Sequence, residues 1–174
     1  MGAIVRLLLV VAGGLLVLAA VAVAASAVLD RPAKTVTNGA TVQGTKAEVW
    51  EVLTDLEGYD DWNPVFRRAR GDTGPGGALE LVLRLPGHDP ETLEASVLVS
   101  RSERKLWWRD RLGPPGVRDL EYEFVLEPVG NGRVLVVQQL RTEGVLAPFA
   151  DAGAARRALD LIARSLERRL AAGR

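Results

Sequence analysis

The chain reads as an α+β domain, an antiparallel sheet with one wet face and a long C-terminal helix covering the other. Three observations predict this. Between residues 78 and 143, five segments alternate apolar and polar side chains with a period of two, the pattern of strands covered on one face. After them, Ala155, Leu159, Ile162, Leu166 and Leu170 recur at helical spacing and form one apolar stripe. Before them, residues 49–64 (VWEVLTDLEGYDDWNP) place Val49, Leu53 and Leu56 at helical spacing, and Pro64 ends the helical stretch.

Composition narrows the function classes. A chain of 174 residues has room for one domain and an appendage. With 48% hydrophobic and 25% charged residues, it can bury a normal core. Zero formal net charge argues against a nucleic-acid partner. The absence of cysteine excludes disulfides and thiolate chemistry but leaves the compartment open. The single His88 cannot build a His-rich metal site, and no metal or cofactor is expected: P-loop, dinucleotide, zinc and G-x-S-x-G signatures are all missing. Oligomeric state is not legible in the sequence.

Residues 1–29 form the appendage. Residues 7–29 carry no charge, and as a helix they would run about 34 Å, enough for a hydrocarbon core of roughly 30 Å. A single-pass membrane anchor is the first reading. A signal peptide cleaved near Ala27, after Ala25-Ser26-Ala27, is the second. The few flanking charges (Arg6 against Arg31 and Lys34) give a narrow preference for a domain outside the cytoplasm. Residues 30–34 read as a linker, and residues 35–174 as the domain.

Residues 35–43 are rich in β-branched side chains and read as the first strand. Thr45 with Glu48 three positions on is a capping box for the helix that follows. Residues 65–70 make a short strand, and GDTGPGG at 71–77 a turn. Strands are expected at 78–85, 91–101, 104–112, 118–128 and 133–143, the last two joined through Asn131-Gly132. The closing helix is expected over 148–172.

The segment Val49, Trp50, Val52, Leu53, Thr54, Asp55, Tyr59, Trp62, Asn63 and Pro64 resembles the START/Bet v 1-like superfamily (SRPBCC), in its polyketide cyclase/dehydrase-like and lipid-transport branch. The resemblance covers residues 35–170. It implies a helix-grip fold, a curved sheet around the last helix, with a cavity for a lipophilic small molecule or lipid between them. On that reading the pocket candidates are Trp62, Leu81, Leu83, Trp108, Tyr122, Phe124, Gln138, Leu140 and Ile162, mostly apolar with a few polar tips. Alternate leucines also read simply as core.

A cyclase or dehydratase needs an acid or base in the same space. Asp110 is read as the one inner-face carboxylate of the long strands and is the single catalytic candidate. Related sequences often have His at the position of Tyr122 and Glu near that of Leu140, and this chain departs at both. A third reading is a protein-binding module, with an exposed apolar patch around Trp107 and the loop at 113–116. The acidic group Asp55, Glu57, Asp60 and Asp61 reads as capping and solvation, and His88 as an exposed turn residue.

Overall fold

The computed structural model describes residues 32–173. The expected anchor or signal segment lies outside the described residues. Among those described, no helix is long and apolar enough to cross a membrane.

Seven strands form one antiparallel sheet: β1 (Ala33–Gln43), β2 (Phe66–Gly71), β3 (Ala78–Leu83), β4 (Glu91–Arg101), β5 (Lys105–Leu112), β6 (Arg118–Gly130) and β7 (Arg133–Glu143). The spatial order is β1-β7-β6-β5-β4-β3-β2. The chain therefore meanders from β2 to β7, and β7 then pairs with the first strand. Two short helices, α1 (Lys46–Thr54) and α2 (Tyr59–Trp62), join β1 to β2, and α3 (Ala152–Ala172) closes the fold. This is the helix-grip arrangement.

Local chemistry accounts for the elements. Thr45 and Glu48 form the expected capping box: the Glu48 amide donates to Thr45 Oγ1 at 3.2 Å and the Thr45 amide to Glu48 Oε2 at 2.6 Å. Asn63 ends α2 and turns the chain into β2, its Oδ1 accepting from the amides of Val65 (3.0 Å) and Phe66 (2.9 Å). The stripe Ala155, Leu159, Ile162, Leu166 and Leu170 is buried throughout.

Among the boundaries that differ from the sequence reading, two stand out, the start of β1 and the start of the last helix. β1 begins at Ala33, inside the expected linker, because Ala33 and Lys34 pair with Glu143 and Thr142. The last helix does not run from residue 148. A 3₁₀ turn (Ala147–Phe149) comes first, and α3 starts only after Asp151, whose side chain caps the amide of Ala154 at 2.9 Å. That break turns out to shape the site.

Candidate functional site: a cavity at the N-terminal end of the long helix

The space between sheet and α3 is filled over most of its length. Tyr122 is the centre of the filling. Its ring stacks on Trp108 at 5.3 Å and meets Phe66 and Phe124 edge-on at 4.7 and 4.8 Å. Its hydroxyl donates to Gln138 Oε1 at 2.6 Å, and Gln138 Nε2 reaches the Leu159 carbonyl at 3.5 Å. Burial pushes the Tyr122 hydroxyl well above its ordinary range, so it stays protonated and serves as a donor. Trp62 packs edge-on against Tyr59 at 5.2 Å, and Leu81, Phe124 and Ile162 are buried in the same core.

Toward the N-terminal end of α3 the filling stops, leaving a cavity of about 420 Å³. Leu83, Leu85, Leu120, Leu140 and Ala155 make its apolar wall; Leu146, Phe149 and Ala150, from the segment before α3, form one lip. His88 and Asp89, in the turn between β3 and β4, form the other, and His88 Nε2 meets Asp151 Oδ2 at 3.2 Å across the opening. Glu91, Arg118 and Thr142 supply polar atoms to the wall.

Of the nine pocket candidates, Leu83 and Leu140 line this cavity. Trp62, Leu81, Trp108, Tyr122, Phe124, Gln138 and Ile162 belong to the packed part. Asp110 is buried and lies behind the polar wall. One oxygen accepts from the Glu94 amide at 2.9 Å and the other from Arg118 at 3.2 Å. Arg118 in turn makes a two-pronged pair with Glu91.

Asp110 is not the one inner-face carboxylate of the long strands. Glu91 opens β4 in phase with Leu93 and Ala95, so it shares their face and reaches Arg118. Burial raises the Asp110 pKa. The Glu94 amide and Arg118 oppose that rise, and the Glu91 charge adds to it. For Arg118, burial alone would lower the pKa, but Glu91 and Asp110 outweigh it and the pKa rises. Arg118 therefore stays charged, and its Nε is a buried donor with no protein partner. With both oxygens engaged, Asp110 positions Arg118 instead of facing the cavity.

The sequence reading missed Glu91, Arg118 and the lip residues. The strand period held a signal for the first two: Arg118 is in phase with Leu120 and Tyr122, as Glu91 is with Leu93. Nothing local pointed to His88, because its partner Asp151 lies 63 positions away. Of the two places expected for an apolar patch, Trp107 is half-buried with Lys105 Nζ 4.8 Å above its ring and does not carry it. The loop at 113–116 adjoins it: exposed Leu112 precedes that loop, and the Val145 amide donates to the Gly116 carbonyl, at the cavity lip.

Fold and cavity together describe a sheet-and-helix container. Residues 33–172 match the family described as polyketide cyclase/dehydrase and lipid transport, and the chain belongs to that family. Among solved structures, it is similar to a START superfamily protein from Mycobacterium smegmatis (22% identity, TM-score 0.64, covering 80% of this chain and 99% of that one). It is similar to norcoclaurine synthase from Thalictrum flavum in complex with dopamine and hydroxybenzaldehyde (13%, TM-score 0.63, 84% and 91%). It is also similar to an aromatase/cyclase from a Streptomyces species (19%, TM-score 0.59, 80% and 94%). At these identities the likeness is one of fold. No curated protein matches the chain.

Proposed function

We propose that this protein binds an apolar small molecule or lipid in the cavity beside the N-terminal end of α3, and that residues 7–29 hold it at a membrane. The observation that carries the reading is the cavity itself, with an aliphatic wall and one charged side in an otherwise filled interior. Burying a CH₂ group contributes about 0.8 kcal/mol, so a chain of about six carbons gains roughly 5 kcal/mol before ordering costs.

The charged side narrows the ligand. Asp89, Glu91 and Asp151 line the cavity against Arg118, with His88 beside them. Arg118 is already held by Glu91 and Asp110. An anionic head group would meet this acidic surplus, so the favoured ligand has a neutral or cationic polar end. Mass spectrometry of the purified full chain, native and then denatured, tests the reading. A reproducible co-purifying lipophile is the expected result. A clean apo mass that survives incubation with a long-chain alcohol or amine would overturn it. A fatty acid binding more tightly than the alcohol of equal length would overturn the charge argument alone.

A second reading, a cyclase or dehydratase, is favoured by His88. It is a titratable imidazole on the cavity wall, oriented by Asp151 in the manner of a general base. On that reading His88→Gln abolishes turnover of a polyketide-like substrate while binding persists, and Asp110→Asn weakens it through Arg118. Unchanged turnover in His88→Gln would remove it.

A further inference from the structure

The cavity lip is the most apolar exposed surface of the described domain. Five large hydrophobic side chains are exposed among the described residues, and four of them gather at this end: Leu112 (48%), Val145 (53%), Leu146 (39%) and Phe149 (83%). The fifth, Val129, sits at the opposite end of β6. Backbone hydrogen bonds hold the lip in place. The amides of Val145 and Leu146 donate to the carbonyls of Gly116 and Val117 at 2.9 and 3.2 Å, which sets the segment against the loop that follows Leu112. Lys34 Nζ donates to the carbonyls of Pro148 (3.0 Å) and Ala150 (2.8 Å). Phe149 is thus presented to solvent by a braced segment, on the wall of the cavity it flanks.

The start of the domain lies at the same place. The Gly144 amide donates to the Pro32 carbonyl at 3.0 Å, one residue before Val145. Residues 7–29 are an uncharged apolar run, and Leu29 is three residues from Pro32. Three residues span at most about 11 Å. If residues 7–29 enter a bilayer, the lip cannot lie far from its surface. The charges around the mouth, Asp89 and Asp151 beside His88, suit a zwitterionic lipid surface better than an anionic one.

We propose that Val145, Leu146 and Phe149 dock into the outer layer of a phosphatidylcholine-type bilayer, so that the cavity opens onto lipid and exchanges its ligand without passing it through bulk water. The proposal rests on the membrane reading of residues 7–29. Because the chain has no cysteine, single thiols can be placed at will. Phe149→Cys and Val129→Cys are made in the full chain, labelled with an environment-sensitive dye, and reconstituted with phosphatidylcholine vesicles with and without doxyl-labelled lipid. Val145→Cys serves as a second lip position should the first variant fold poorly.

Flotation with the vesicles reports the anchor; quenching reports the docking. The expected result is a floating protein whose dye at 149 or 145 is quenched several-fold more than at 129. A protein that floats with equal quenching at both ends overturns the docking and leaves the anchor standing. A dye at 149 shielded from both lipid quencher and aqueous iodide means that residues 1–31 or a second copy covers the lip, and this also overturns it. A chain that does not float removes the anchor, and the docking with it.

Discussion

The two ends of one sheet-helix interior are built from the same strands and differ in what those strands carry and in the non-strand segments, His88–Asp89 and Leu146–Asp151, that border the open end. Along β7, Gln138 lies in the filled part, whereas Leu140 and Thr142 line the cavity. Along β6 the sequence Phe124, Tyr122, Leu120, Arg118 passes from aromatic core to open wall, and along β3 Leu81 is core while Leu83 lines the void. Two residues of strand advance, about 6.6 Å, separate solid from hollow. Side-chain volume, not backbone curvature alone, therefore sets where this container is open.

That contrast can be broken most severely at its centre. Tyr122→Ala removes the ring that three aromatics contact and leaves the buried Gln138 Oε1 without its donor, so a loss of about 3–5 kcal/mol is expected by denaturant unfolding. Leu140→Ala, whose side chain already faces the void, should cost only about 2 kcal/mol, the low end for such truncations. Equal losses at the two sites would mean that the hollow end is packed in solution.

Enlargement sharpens the same contrast with a smaller effect. Leu81→Trp overfills the packed end and should cost about 1–3 kcal/mol. Leu83→Trp, two residues on, should grow into the cavity at less than about 1 kcal/mol and displace any bound lipophile in native mass spectra. A Leu83→Trp protein that still carries ligand would place the binding site elsewhere.

The third test compares two carboxylates, one behind the wall and one at the lip. Asp110 has a pKa raised above its ordinary 3.8, chiefly by burial. Its contribution to stability is present below that value and is lost as pH rises through the folded-state pKa. The stability of the native protein relative to Asp110→Asn should therefore fall as pH climbs from acid toward neutral.

Asp151 should show the opposite slope, and the smallest effect. The Ala154 amide and His88 lower its pKa below 3.8, so its contribution is present above 3.8 and is lost as pH falls through the lowered value. Asn at 151 keeps a cap acceptor but removes that acid-side loss. Denaturant midpoints across acid pH check both signs, and parallel slopes for the two variants would refute the assignment.

The fold was legible because its signals are local. The bounds of β4 and β7 follow from alternation, and α1 from Thr45 and Glu48, which touch within one turn. The position of the cavity was not legible. A period of two says which face a residue is on, not how far the covering helix stands from it, and it does not reach the non-strand residues Leu146, Phe149 and Asp151 that border the cavity. Trp108 and Tyr122 looked like pocket aromatics, yet they meet each other and Phe66 and so occupy the space themselves. Arg118 stood in a loop-flanking position whose importance comes from Glu91, 27 residues away.

The pairing of β1 with β7 carries a consequence for how the protein is made. Its partners are separated by 90 residues (Gln43 and Arg133) to 110 residues (Ala33 and Glu143). As synthesis proceeds from the N-terminus, the first strand leaves the ribosome with no partner until nearly the whole domain has followed. The helix that packs on it comes later still. The meander from β2 to β6 can zip hairpin by hairpin, whereas closure waits for the end of the chain. Over that interval β1 is an unpaired edge, rich in threonine and valine, in need of shelter from other chains.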